Sequence, residues 1–146
     1  MLKALGSGLV GACALTLIHE TARRLAPEVA PRMDVLGMRA IAKTMRAVDA
    51  EPPAPLHEVA LAGDIVSNSL YYSLVAVGDR EDALRNGALL GLAAGLGAVF
   101  LPKPLGLGSQ PTERTPATQL MTVAWYLAGG LAAAAAYKAL APEDED

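Results

Sequence analysis

One apolar stretch, at residues 117–140, limits what this chain can fold into more than any other feature. It contains no charged side chain until Lys138. The hydrocarbon core of a bilayer is about 30 Å thick, and a helix of about 20 apolar residues crosses it. The stretch is long enough to cross a membrane with some tilt, so it predicts a transmembrane helix.

Three further apolar stretches lie at residues 4–22, 58–78 and 86–102. The first has the length of a secretory signal peptide, but a single Lys3 precedes it and no cleavage site of small residues follows Ile18. The third is short for a bilayer and would also suit a buried helix of a soluble bundle. We predict an all-α fold with one membrane domain over residues 1–146, a bundle of about four transmembrane helices.

Between the first two stretches, residues 32–49 predict an amphipathic helix that lies in the membrane interface. Basic side chains fall on one side of the helical wheel, and apolar ones such as Met38 and Ile41 fall opposite. The basic residues are Arg32, Arg39, Lys43 and Arg46. A helix of this kind attracts anionic lipid. We therefore expect these four residues to contact lipid headgroups, and a bound lipid would fit the pattern; no cofactor is predicted.

The distribution of Lys and Arg predicts the orientation. The loops after the first and third stretches hold eight of the 12 basic residues, and four remain on the opposite side. Because basic loops stay in the cytoplasm, we expect both termini outside, as in a protein of the bacterial inner membrane. The formal net charge is −3, and the basic residues crowd between Arg23 and Arg46. We therefore expect the bilayer as a partner and no nucleic acid.

The third stretch contains a doubled GxxxG pattern, formed by Gly87, Gly91 and Gly95. Small residues on one stripe let two helix backbones approach closely, which matters in lipid because no hydrophobic drive brings helices together there. The stripe therefore predicts a close helix contact. Its partner is another helix of the same chain, a second copy of the chain or another membrane subunit.

The second stretch carries a polar face. His57, Asp64, Asn68 and Tyr71 are spaced by seven, four and three residues, which places them on one side of a helix. A carboxylate in the hydrocarbon region costs at least a few kcal/mol unless it is neutral, paired or hydrated. Asp64 should therefore face the bundle interior or a water-filled cavity. This face is either a functional site or a set of hydrogen bonds that hold neighbouring helices together.

His19 and Glu20 stand at the end of the first stretch, and an ion pair between Glu20 and Arg24 is expected one turn apart. The zinc pattern HExxH is absent because position 23 is Arg. His19, Glu20, His57 and Asp64 could in principle converge on a metal from facing helices, but the pattern is not specific. No metal site or catalytic residue is predicted.

Three classes of function agree with these features. The first is a structural or accessory subunit that packs through its glycine faces and holds anionic lipid with its surface helix. The second is a homo-oligomeric channel or transporter for a proton, a cation or a small polar solute, with the polar face of the second stretch along its path. The third is a membrane-embedded enzyme acting on a lipid-like substrate, although nothing in the sequence demands an enzyme.

Overall fold

The computed structural model describes residues 1–140, and its regular elements are all helical, which confirms the all-α prediction. The main helices are α1 (Leu2–Leu25), α2 (Met33–Ala47), α3 (Leu56–Tyr72), α4 (Ala83–Phe100), α5 (Gln110–Glu113) and α6 (Pro116–Leu140). Two 3₁₀ turns flank the link between α3 and α4, at Ser73–Ala76 and Arg80–Asp82.

Three helices of the described part of the chain are long and apolar enough to cross a membrane: Leu2–Leu25, Arg80–Phe100 and Pro116–Leu140. They indicate that the chain associates with a membrane. The predicted crossing at residues 58–78 corresponds to α3, which has 17 residues as an α-helix. That length gives about 26 Å at 1.5 Å per residue. α3 is short because its backbone tightens into the 3₁₀ turn Ser73–Ala76 after Tyr72.

The glycine stripe of α4 faces α6. A Cβ atom added at Gly91 would lie 2.6 Å from the Cα atom of Leu127, and one added at Gly95 would lie 2.7 Å from the Cα atom of Val123. Gly87 meets the carbonyl group of Gly130. The two backbones are therefore in direct contact and run antiparallel, so the doubled GxxxG pattern is used within the chain.

Glycines also join α1 to its two neighbours. A Cβ atom added at Gly11 would lie 2.7 Å from the carbonyl oxygen of Gly129 in α6. Gly8, on the side towards α3, meets the carbonyl group of Ser69. The order of packed helices is therefore α3, α1, α6 and α4, with α3 and α4 at the two edges.

Two adjacent tyrosines tie the end of α3 to the far helices. Tyr72 is fully buried, and its hydroxyl donates a hydrogen bond to the backbone carbonyl of Tyr126 in α6 at 2.8 Å. The hydroxyl of Tyr71 donates to the carbonyl of Leu90 in α4 at 3.0 Å. These bonds link α3 to α6 and α4 at one end of the bundle. Beyond this end, a gap separates α3 from α4.

The segments between α1 and α3 and between α4 and α6 meet at one end of the bundle. The amide of Arg32 donates to the carbonyl of Pro111 at 2.8 Å, and the guanidinium of Arg114 donates to the carbonyl of Ala30 at 3.1 Å. α2 packs on α3, where Gly37 faces Ala60. The two loops that are rich in basic residues thus share one end, while the start of α1 and the end of α6 share the other.

Candidate functional site

A small polar cavity lies between α1, α2 and α3, near the end that holds the basic loops. Its volume is about 30 Å³, enough for a water molecule. Five titratable side chains line it: His19, Glu20, Asp34, His57 and Asp64. Four of them are residues that the sequence singles out, and the structure brings them together from α1 and α3. The fifth, Asp34 of α2, is not among the site residues predicted from the sequence.

His19 occupies the innermost position. Its side chain is 7% exposed, and its ring meets two aromatic rings of α6 edge-on, with centroids 5.3 Å from Trp125 and 5.8 Å from Tyr126. Within residues 1–140, the Nε2 atom of His19 has no hydrogen-bond partner, and neither has the hydroxyl of Thr16 one turn earlier. Both residues line the cavity.

Asp64 lies across the cavity on α3. One of its carboxylate oxygens accepts a hydrogen bond from the side-chain amide of Asn68 at 2.9 Å, across the spacing of four residues that the sequence predicts for a shared face. Asn68 is itself buried, at 9% exposure. This bond orients the carboxylate but adds no positive charge beside it.

The other two carboxylates are neutralised by arginines. Glu20 accepts a hydrogen bond from Arg23 at 2.6 Å, in place of the expected pair with Arg24. Asp34 accepts two hydrogen bonds from Arg32, at 2.9 and 2.8 Å. Burial opposes ionisation of Asp34, but the bonds from Arg32 outweigh it and hold the pKa of this carboxyl below its usual value. The pair therefore stabilises the fold at neutral pH and loses that effect as the pH falls through the lowered pKa.

A metal site is not built in the part of the chain that the structure describes, because no three His, Cys, Asp or Glu side chains there are placed to hold an ion. Two of the carboxylates around the cavity already bind arginines, which compete with a cation. His19 and Asp64 can form hydrogen bonds and can exchange protons.

A larger groove opens between α3 and α4. Its volume is about 560 Å³. Its walls are mainly apolar, with Ala94 and Ala98 on the α4 side. Its polar side chains are Ser67, Asn68, Tyr71 and Tyr126. The structure thus divides the predicted polar face of α3: His57 and Asp64 line the cavity, whereas Asn68 and Tyr71 line the groove. Met33 of α2 lines both and separates them.

The four predicted lipid-contact residues, Arg32 just before α2 and three in α2, have partners within the chain. Arg39 donates to the carbonyl of Leu107 at 2.8 Å, and Lys43 donates to the carbonyl of Leu105 at 2.5 Å. Arg32 bonds to Asp34, and Arg46 donates to the carbonyl of Ala42, one turn earlier. Contact of these residues with lipid headgroups stays a prediction.

The groove, the role of Tyr72 and the contribution of Thr16 are absent from the sequence-based prediction. For Thr16 a signal existed, because it precedes His19 by three residues and so shares its helix face. The sequence contains no such signal for the groove, because the groove is a gap between α3 and α4, which pack on different neighbours.

No protein-family model, curated protein or solved structure matches this chain.

Proposed function

We propose that this chain is a small integral membrane protein of four crossings that binds an amphiphilic, lipid-like molecule in the groove between α3 and α4. The observation behind the proposal is the groove itself. It lies beside helices that are apolar enough to span a bilayer, and its size of about 560 Å³ falls within the roughly 300–1,000 Å³ typical of small-molecule sites.

Lipid is the occupant that this position favours. The groove opens sideways between two edge helices, where the bilayer would supply acyl chains and where water is scarce. Its α4 wall is built from small side chains, with Ala93, Ala94 and Gly97 among them, which leaves the room that a chain needs. Asn68, Tyr71 and Tyr126 offer hydrogen-bonding groups to a polar head. An apolar body with a few polar groups is the usual chemistry of a ligand site.

The packing of α3 favours a fourth crossing. α3 runs antiparallel to α1, because Ser69 meets Gly8 near the start of α1 while Ala60 and His57 share the cavity with His19 near its end. The α-helix and its 3₁₀ extension cover residues 56–76, which is about 33 Å of rise. That length suits the hydrocarbon core, so α3 would cross together with α1.

The orientation follows from the shared end of the basic loops. Residues 26–55 and 101–115 lie at that end, and the rule for basic residues would place it in the cytoplasm of a bacterial cell with both termini outside. In this arrangement α2 lies on the cytoplasmic surface. Its exposed Arg46 is then free to attract anionic lipid, which keeps surface lipid binding as a secondary part of the proposal.

An accessory subunit that docks through its glycine faces is less favoured by this geometry. Gly87, Gly91 and Gly95 pack on α6 of the same chain, so the stripe is already occupied. The helix surfaces left for partners carry large side chains such as Leu92 and Leu96, which are exposed.

Filling the groove should remove the bound lipid. We expect the double variant Ala94→Leu with Ala98→Leu to co-purify with at least several-fold less lipid than the wild type. The larger side chains would fill the space that the lipid's acyl chain occupies. The measurement is native mass spectrometry, with extraction and identification of lipid from protein purified in a mild detergent.

The matched control is Ala135→Leu, since Ala135 is exposed on α6 and lies away from the groove. It should retain the lipid of the wild type. Equal amounts of lipid in the groove variant and in this control, with both folded, would overturn the proposal. Mass spectra would also show whether a second copy of the chain, rather than lipid, covers the groove.

Cysteine labelling tests the fourth crossing. In a background of Cys13→Ala, which removes the single cysteine, Glu51→Cys precedes α3 and Asp79→Cys follows it, both at exposed positions. We expect an impermeant maleimide to label Asp79→Cys in intact spheroplasts and to label Glu51→Cys only after permeabilisation. Labelling of both from the same side would show that α3 does not cross.

A further inference from the structure

Two residues that line the polar cavity have buried polar atoms without a hydrogen-bond partner among the described residues. Within the described residues, His19 Nε2 and the Thr16 hydroxyl are buried without partners, although both could bond to a small molecule between them. Burying such groups unsatisfied is costly, and both line the same space of about 30 Å³. A space of this size admits a water molecule and excludes larger ligands.

Asp64 completes the site from the opposite helix. Hydrogen bonds within residues 1–140 give its side chain one partner, the amide of Asn68. The second carboxylate oxygen has accepting capacity left, because an ionised carboxylate offers about four lone-pair sites. The residues that line the cavity thus offer a water a hydroxyl, an imidazole and a carboxylate, within the two to four polar partners that a buried water needs.

We infer that this cavity is a proton-binding site in which a bound water joins Nε2 of His19 to the carboxylate of Asp64. The proton balance is simple. An imidazolium at His19 gives its Nε2 proton to the water while the water gives one of its own protons to Asp64, and the products are a neutral imidazole and a neutral carboxylic acid. The net charge of the site stays the same, and one proton is held between the two side chains.

Of the described carboxylates that line the cavity, Asp64 is the one that no arginine pairs with. On α1, Glu20 is paired with Arg23; on α2, Asp34 is paired with Arg32. α6 presents Trp125 and the phenol of Tyr126 to the imidazole ring. α3 contributes Asp64 and, nearer its start, His57. Among these groups Asp64 is the carboxylate without an arginine, and His57 stands towards the aqueous end, where a proton would arrive.

Trp125 makes the site observable. It is the single tryptophan of the chain, and its ring centroid lies 5.3 Å from that of His19. A protonated imidazole in contact with an indole quenches its fluorescence, whereas a neutral imidazole quenches it less. The emission of the protein in lipid nanodiscs should therefore fall on acidification as His19 takes up its proton.

The experiment follows this emission between pH 2.5 and pH 9, with circular dichroism at each end to verify the fold. We expect a single transition in the wild type and none in His19→Gln. Asp64→Asn should move the midpoint to lower pH by about one unit or more, because the charge that stabilises the imidazolium is lost. Thr16→Val keeps the volume, removes a partner of the water and should also shift the midpoint.

The control is Glu58→Gln. Glu58 is an exposed carboxylate of α3, the helix that also carries Asp64, and its replacement should leave the midpoint unchanged. A second readout tests the water directly: solid-state NMR of protein with labelled histidine should show transfer of magnetisation from water to Nε2 of His19. The inference would be overturned by any of three results: the wild type shows no transition, Asp64→Asn leaves the midpoint unchanged, or no magnetisation passes from water to Nε2 of His19. None of these readouts depends on lipid in the groove.

Discussion

Gly91→Leu should break the contact between α4 and α6 and cause a large loss of stability. The first atom of the new side chain, Cβ, would lie 2.6 Å from the Cα atom of Leu127 and 2.7 Å from the carbonyl oxygen of Tyr126. These are backbone atoms, so a rotamer change cannot relieve the overlap. The two helices must separate, and we expect a loss of about 3 kcal/mol or more in the free energy of unfolding.

The measurement is reversible unfolding in mixed micelles, followed by circular dichroism. Gly63→Leu is the matched control, because a Cβ atom at Gly63 meets nothing within 4 Å. Leucine is a better helix former than glycine by up to about 1 kcal/mol, so the control should be neutral or stabilising. Similar losses for the two variants would show that α4 and α6 are not packed as described.

Tyr72→Ala should also cause a large loss in the free energy of unfolding, about 3–5 kcal/mol, as for other large aromatic side chains removed from a core. Tyr72 is fully buried where the end of α3 meets α1 and α6, and its ring packs beside Gly129. Removing the ring opens a cavity and also breaks the bond to the carbonyl of Tyr126.

Tyr72→Phe separates these two effects. It keeps the ring and removes the hydroxyl, so the expected loss is about 1 kcal/mol, the usual size of a hydrogen bond between transmembrane helices. Leu70→Ala serves as the control on the same helix because Leu70 is 57% exposed. The same unfolding measurement applies, and a Phe variant as unstable as the Ala variant would contradict the division between packing and hydrogen bonding.

The long helices were predictable because each is defined by its own residues. The stretch at 117–140 becomes Pro116–Leu140, with Pro at the first helical position, where its missing N–H costs nothing. The stretch at 86–102 becomes Ala83–Phe100, which ends two residues before Pro102, a residue without the N–H group that a continuing helix would need. Local chemistry decides both ends.

α3 shows where local reasoning fails. The apolar stretch continues to residue 78, but the α-helix ends at Tyr72. The hydroxyls of Ser69 and Ser73 bond to backbone carbonyls of their own turn, a pattern that bends helices. The close approach of Gly8 to Ser69 and Ser73 is a contact between distant parts of the chain, and no window of the sequence contains it.

The sequence predicts which site residues share a face of one helix, but not how the helices bring these faces together. Spacing alone places His57, Asp64, Asn68 and Tyr71 on one side of α3. Their division between a cavity and a groove depends on Met33, which α2 places between them. The position of α2 is set in turn by bonds such as that from Arg32 to Pro111, across a separation in sequence that periodicity cannot bridge.

The bonds from Arg39 and Lys43 to the loop after α4 have a consequence for how a ligand would exchange. They fasten that loop to α2 through the carbonyls of Leu107 and Leu105, and both leucines line the groove. In the proposed membrane arrangement, α2 and the loop after α4 would close the end of the groove that is nearest the aqueous phase. A molecule in the groove would arrive and leave within the plane of the bilayer, so its exchange rate would follow membrane fluidity rather than its concentration in water.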